Sequence, residues 1–301
     1  MAKPYDLVVI GAGTAAMVAA MRIRAAGWRV AVVDCRPFGG TCALRGCDPK
    51  KMLIGGVDAT DHVRRMQGKG VAGNVTIDWP DLMAFKRSFT DPVPANHERR
   101  YREKGIDTYH GQARFTGPNT IEIDGDILNA KHVVIASGAE PVKLHIPGEE
   151  HLVTNEDFMA LLALPRRIVL VGGGYIAAEF SHIAARAGAQ VTILQHGARL
   201  LNGFDPDLVA WLMQAFDTIG VNVRLETTVT AVEKTATGYR VRSTSHGATT
   251  TTDADLVVHA AGRAPALESL DLEAAGIAND HGRLMLNEYL QSVSNPAVFA
   301  A

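Results

Sequence analysis

Two stretches of the chain, Gly11-Ala12-Gly13-Thr14-Ala15-Ala16 and Gly172-Gly173-Gly174-Tyr175-Ile176-Ala177, share the pattern G-x-G-x-x-A. Each follows an apolar run, Asp6 to Ile10 and Arg166 to Val171. Each opens a helical stretch that closes at a glycine, Gly27 and Gly188. A second apolar run comes next, Arg29 to Val33 and Gln190 to Leu194. The spacing is in register: 23 residues separate Gly11 from Asp34, and 23 separate Gly172 from Gln195. Two copies of one strand–turn–helix–strand unit in 301 residues predict an α/β chain with two Rossmann-like domains.

Each position in the motif has a physical reason. The first glycine allows the tight turn, the second lets backbone approach a pyrophosphate, and the alanine packs helix on strand. The pyrophosphate then lies on the helix N-terminus. Gly11, Gly13, Thr14, Ala15 and Ala16 form the first candidate cradle, and Gly172, Gly174, Tyr175 and Ile176 the second. The copies differ where a ribose is read. Asp34 suits a free ribose diol, whereas Gln195 is neutral with His196 and Arg199 just beyond. A 2′-phosphate is repelled by an acid and welcomed by these residues, so the second site favours NADPH over NADH. The plain alternative is that His196 and Arg199 are solvated loop residues.

Between the copies, residues 52–105 look helical, with Trp79-Pro80-Asp81 as a start, and Ile106 to Ile127 alternates as short strands. Lys131 to Gly138 reads as an apolar strand ending in the small residues Ala136, Ser137 and Gly138, which let backbone pack closely on a cofactor. Asp205 to Ile219 is helical, and Thr230 to Val241 and Thr249 to Ala260 read as antiparallel strands. Gly262-Arg263-Ala264-Pro265 is a breaker that marks a domain edge. The predicted organisation is a first dinucleotide domain over 1–148, a second over 149–264 inserted in it, and the start of a return over 265–301.

Two of the three cysteines lie in Gly39-Gly40-Thr41-Cys42-Ala43-Leu44-Arg45-Gly46-Cys47-Asp48-Pro49-Lys50-Lys51. Residues i and i+5 of an ideal helix lie about 8.6 Å apart between Cα atoms, against at most ~6.8 Å for a disulfide. A bridge therefore needs a loosened first turn, for which Gly39, Gly40 and Gly46 supply freedom. A helix N-terminus and two lysines favour thiolate there. Buried inert thiols are the bland alternative. No second Cys/His pair stands at zinc-ligand spacing, so no metal is expected.

A net charge of −2 makes no case for nucleic acid. Three cysteines without a secretion signal suggest a reducing, cytoplasmic setting, and no membrane association is expected. Leu7 to Met21 has the apolarity of a signal peptide, but Gly11-Ala12-Gly13 interrupts it where a strand turns into a helix.

Taken together, these motifs resemble the class I pyridine nucleotide–disulfide oxidoreductases, the family of glutathione reductase, dihydrolipoamide dehydrogenase and mercuric reductase, over nearly the whole chain. GGTCALRGCDPKK resembles the family's redox-active GGTCxNxGCxPxK. GAGTAA with Asp34 is similar to its FAD site, IASG to its alanine-threonine-glycine box, GGGYIAAE to its nicotinamide site and GRAP to its domain-return motif. The resemblance implies that Gly40, Thr41, Gly262 and Arg263 also contact cofactor. It makes Cys42 the interchange thiol, Cys47 the charge-transfer thiol, and Tyr175 a gate over the flavin. Lys50 or Lys51 would pair with Glu179 beside the flavin N5; as residues alone, Glu179 reads equally as a surface acid. Electrons would pass from NADPH through FAD to a Cys42–Cys47 disulfide and on to an external small-molecule disulfide.

Three departures stand out. The loop reads Ala43-Leu44-Arg45 where the family carries an Asn. Asp48 follows the second cysteine in place of an aliphatic residue, which predicts a raised Cys47 pKa and a weakened charge-transfer band. The chain stops at Ala301, before the interface domain that the resemblance implies, with its His–Glu acid–base pair and homodimer contact. That predicts a piece of a longer protein, without the general acid for the leaving thiolate and with an exposed apolar edge. Two other functions fit the same motifs: an NAD(P)H oxidase, quinone or metal-ion reductase using the flavin directly, and a non-catalytic FAD- and nucleotide-binding fragment.

Overall fold

The computed structural model describes residues 2–301. Contacts divide it into two units. Among the described residues, one comprises residues 2–48, 89–140 and 264–301, the other 49–88 and 141–263.

In the first unit, parallel strands Asp107–His110, Val30–Asp34, Lys3–Ile10 and Asp126–Ile135 lie side by side in that order. The antiparallel strands Thr120–Ile123 and Ala113–Gly117 extend the sheet. Val298–Ala300 returns to pair in parallel with Asp126–Ile135, Val298 opposite Val133. The central strands are apolar on both faces, as parallel strands buried on two sides must be. Val8 and Val33 belong to one core and Val9 and Val32 to another. Each such side chain contributes about 1.5–3 kcal/mol by leaving water.

The second unit sets four parallel strands in the order Asn222–Arg224, Gln190–Leu194, Arg167–Val171, Leu256–His259. A three-stranded antiparallel sheet, Thr228–Thr235, Gly238–Ser245 and Ala248–Ala254, forms a separate layer. The segment Thr249 to Ala260, expected as one strand, is thus two strands in two sheets. Thr230 to Val241 likewise holds a hairpin, with Thr235 paired to Gly238 across the turn at Ala236-Thr237.

The helical expectation over 52–105 resolves into helices Cys47–Met66, Trp79–Thr90 and Val93–Glu103. Residues 67–78 are not helical, and Gly68, Gly70 and Gly73 there have positive φ. Residues 49–88, placed with the first domain on sequence order, make their contacts in the second unit. Leu53, Val57, Trp79 and Met83 share a core with Phe158, Phe180 and Ile183, and the Trp79 indole donates to Leu161 O at 3.0 Å.

Candidate functional site

The two G-x-G-x-x-A turns have the same geometry to the level of single hydrogen bonds. Gly11 and Gly172 both take φ 110°. Gly11 N donates to Val33 O at 2.7 Å, and Gly172 N to Leu194 O at 2.8 Å. A Cβ on Gly11 would lie 2.1 Å from Ala136 O, and one on Gly172 2.4 Å from Ala260 O. Only glycine fits either corner.

Gly13 and Gly174 then cap helices Thr14–Ala25 and Tyr175–Arg186, with extended backbone, no capping side chain and no acid in the first turn. Those first-turn N–H groups have no partner inside the helix, and the helix dipole adds positive potential. Both turns therefore fit a phosphate.

In the first unit, Gly11, Gly13, Asp34, Gly40, Thr41 and the segment Ala136-Ser137-Gly138 line one cleft. Thr14 and Ala15 begin the helix on its exposed side, and Ala16 is fully buried, as helix-on-strand packing requires. Gly40 has φ +65°, and a Cβ on it would stand 2.4 Å from Gly13 Cα. The helix bearing Cys42 thus starts in backbone contact with the phosphate turn. Asp34 accepts from Ala12 N at 2.7 Å and Arg36 N at 2.9 Å, one bond per oxygen, which leaves lone pairs for a ribose diol. Sequence reasoning missed Cys35, Gln112 and Ser269 on this cleft. The glycine Gly111, closing the third parallel strand, was the available signal.

Cys42 lies in helix Gly40–Arg45, and Cys47 begins helix Cys47–Met66. Gly46 separates them with φ −148° and ψ −111°, so one continuous helix does not carry both. A Cβ there would come within 3.0 Å of Thr41 O. This break is the loosened turn that the i+5 spacing demands. Both residues are free thiols here.

Interaction with the Cys47 thiol, then burial and the charges of Cys47 and Asp48, push the Cys42 thiol above its ordinary pKa, while the Thr14 hydroxyl pulls it down. The thiolate-favouring surroundings expected from sequence are therefore reversed at Cys42. The neighbouring lysine charge is engaged elsewhere. Lys50 Nζ lies 2.6 and 2.7 Å from the two Glu179 oxygens. Lys50, not Lys51, forms this pair, and Lys51 is exposed.

In the second unit, Gly172, Gly174, Tyr175, Ile176, Gln195 and His196 line a cleft with Gly262 and Arg263. Tyr175 is more than half exposed. Gln195 is buried and its amide donates to Arg199 O at 3.2 Å. Arg199 is not brought to the cleft wall: its guanidinium donates to Asn202 O at 2.7 Å, while Asn202 itself lines the cleft. Arg263 donates to Asn155 Oδ1 at 3.0 Å.

Comparison with known proteins decides what this arrangement belongs to. Residues 5–301 match the family described as pyridine nucleotide-disulphide oxidoreductase. The chain is a member of that family. It is 33% identical over 298 residues to a glutathione reductase from Burkholderia cepacia, covering 98% of this chain and 66% of that one. It is 31% identical over 304 residues to a mercuric reductase from Staphylococcus aureus, covering 99% and 55%. It superposes with a TM-score of 0.85 on the HOCl-induced flavoprotein disulfide reductase RclA from Escherichia coli, at 27% identity, covering 98% of this chain and 65% of that one. The chain thus spans between about half and two thirds of these relatives. Family members of this kind use FAD and NAD(P)H. No described helix is long and apolar enough to cross a membrane.

Proposed function

We propose that this chain acts as an NAD(P)H-dependent flavoprotein reductase whose electrons leave through Cys42 and Cys47 to a small disulfide or a thiol-reactive acceptor. One observation carries the reading. Two free thiols, close enough for Cys47 to act on the titration of Cys42, stand on either side of a helix break, and the helix holding Cys42 starts against Gly13. FAD, when bound, supplies the step from a two-electron hydride donor to a thiol pair. The chain's own residues do the rest. Gly11, Gly13 and the first-turn N–H groups hold the pyrophosphate, and Asp34 holds the ribose. Cys42 thiolate attacks the acceptor disulfide, breaking its S–S bond and releasing one thiol. Cys47 thiolate then attacks Cys42 sulfur, releasing the second thiol and closing the Cys42–Cys47 disulfide. We assign Lys50 as the cation beside the flavin, with Glu179 fixing it, and Tyr175 as the gate.

NADPH is the favoured donor, supported by neutral Gln195 and by His196 on the cleft wall. The full protein is read as a cytoplasmic homodimer. A metal ion is a second acceptor class, favoured by one observation: Asp48 directly follows Cys47, and its negative charge acts on the Cys42 thiol. Such a charge repels an anionic disulfide and attracts a thiophilic cation. RclA has been solved as a Cu(II) complex, and mercuric reductases are among the relatives.

The deciding experiment is an anaerobic visible spectrum of the FAD-loaded chain before and after NADPH, for the native form and Cys42→Ser. A long-wavelength shoulder with oxidised flavin, together with acceptor reduction lost in Cys42→Ser, supports the reading. Undiminished acceptor reduction by Cys42→Ser would replace it with direct reduction by the flavin.

A further inference from the structure

Helices Cys47–Met66 and Tyr175–Arg186 carry a second ion pair that the chemistry above does not use. Arg186 Nε lies 2.8 Å from Asp61 Oδ1, bent out of hydrogen-bonding angle, and both side chains are largely buried. His182 Nε2 stands 3.7 Å from the other Asp61 oxygen, and Arg64 NH1 3.9 Å from the first. Asp61 is faced by three basic groups from its own helix and the neighbouring one.

The two pairs join the same two helices. Lys50 and Asp61 lie on one face of the first helix, about 20° apart around its axis, and Glu179 and Arg186 are similarly aligned on the second. Leu53 and Val57 lie between the charged positions on the first helix, and Phe180 and Ile183 on the second; all four belong to one core. The result is an apolar seam with a charge pair at each end, and the polarity is reversed between the ends. The first helix contributes a cation at Lys50 and an anion at Asp61.

Reversed polarity specifies register, as charged flanks do beside the seam of a coiled coil. The charged positions are 11 residues apart on the first helix and seven on the second, about 16.5 and 10.5 Å along the axes, so each pair holds its own end and no axial shift levels both. An apolar seam alone resists an axial shift only weakly, since aliphatic contacts are non-directional.

We propose that Asp61 is a positioning residue: through Arg186 it locks the axial register of the helix that begins at Cys47, and so seats the Lys50 ammonium on Glu179. The link to catalysis rests on the function proposed above; the link between the two ion pairs does not.

The test is a mutant cycle on the full chain with FAD bound, read by urea unfolding. Lys50→Met, Glu179→Gln and their combination give the coupling between those residues, first with Asp61 present and then in Asp61→Asn. The expected result is a coupling that falls to less than half in the Asp61→Asn background, with the rate of flavin reduction by NADPH falling at least fivefold. A coupling unchanged by Asp61→Asn would overturn the proposal and leave Asp61 as a structural charge only. If Asp61→Asn does not fold, Arg186→Lys, which keeps the charge and loses the planar fork, goes through the same cycle with the same two outcomes. Loss of coupling without any cysteine-dependent turnover would uphold the positioning role and count against the proposed function instead.

Discussion

The Lys50 ammonium reaches both oxygens of Glu179, 129 residues further along the chain, at 2.6 and 2.7 Å. The side chains retain 19% and 33% of their exposure, so the pair is partly shielded and neither charge is fully desolvated. Removing one partner leaves the other in a poor solvent, a cost that water access moderates.

Lys50→Met is therefore expected to lower stability by roughly 1–2 kcal/mol and to slow flavin reduction by NADPH at least tenfold. Lys51→Met, at an exposed position, is expected to change neither by more than twofold. Stopped-flow absorbance under anaerobic conditions and urea melts check both. Equal effects of the two substitutions would remove the assignment of Lys50.

The raised Cys42 pKa has a pH signature. The thiolate is the nucleophile, so a raised pKa lowers its fraction at neutral pH, and the reaction speeds up as pH rises through the thiol's titration. Asp48→Asn removes one of the raising charges and is expected to shift the profile to lower pH. Thr14→Val removes a lowering hydrogen bond and is expected to shift it upward. Alkylation rates of Cys42, followed by mass spectrometry across pH 6 to 10, give the profile directly. Shifts of the same sign for both variants would contradict the account.

Gly40→Ala meets two obstacles, a positive φ and Gly13 backbone 2.4 Å from the new methyl. It is expected to abolish FAD retention. Gly27 also has positive φ, but nothing lies within 4 Å of its added Cβ. Gly27→Ala should cost only about 1 kcal/mol of backbone strain and keep its flavin. Flavin absorbance per mole of purified chain separates the two.

His196 lines the second cleft, whereas the Arg199 guanidinium is spent on Asn202 O. His196→Ala is expected to raise the KM for NADPH about fivefold to tenfold with little change for NADH, the loss of a charge-assisted hydrogen bond. Arg199→Ala should have the smaller effect. Steady-state KM values for both nucleotides test the ranking, and a larger effect at Arg199 reverses it.

Both G-x-G-x-x-A turns and the strands that flank them were legible in the residues, because they rest on local chemistry. A corner at φ 110° accepts only glycine, and a strand end needs a fixed number of residues to reach it. The family resemblance rests on those same short motifs. What the residues left open was settled by contacts distant in sequence. Lys50 and Lys51 are alike as letters, and only the packing of helix Cys47–Met66 beside Tyr175–Arg186 brings Lys50 to Glu179. Residues 49–88 follow the first dinucleotide unit in the chain yet bury Leu53, Val57 and Trp79 in the second, since an amphipathic helix does not record which core will cover it. The helix break at Gly46 and the turn of Arg199 toward Asn202 belong to the same class. Each is a choice among locally permitted conformations, and the surrounding packing makes it.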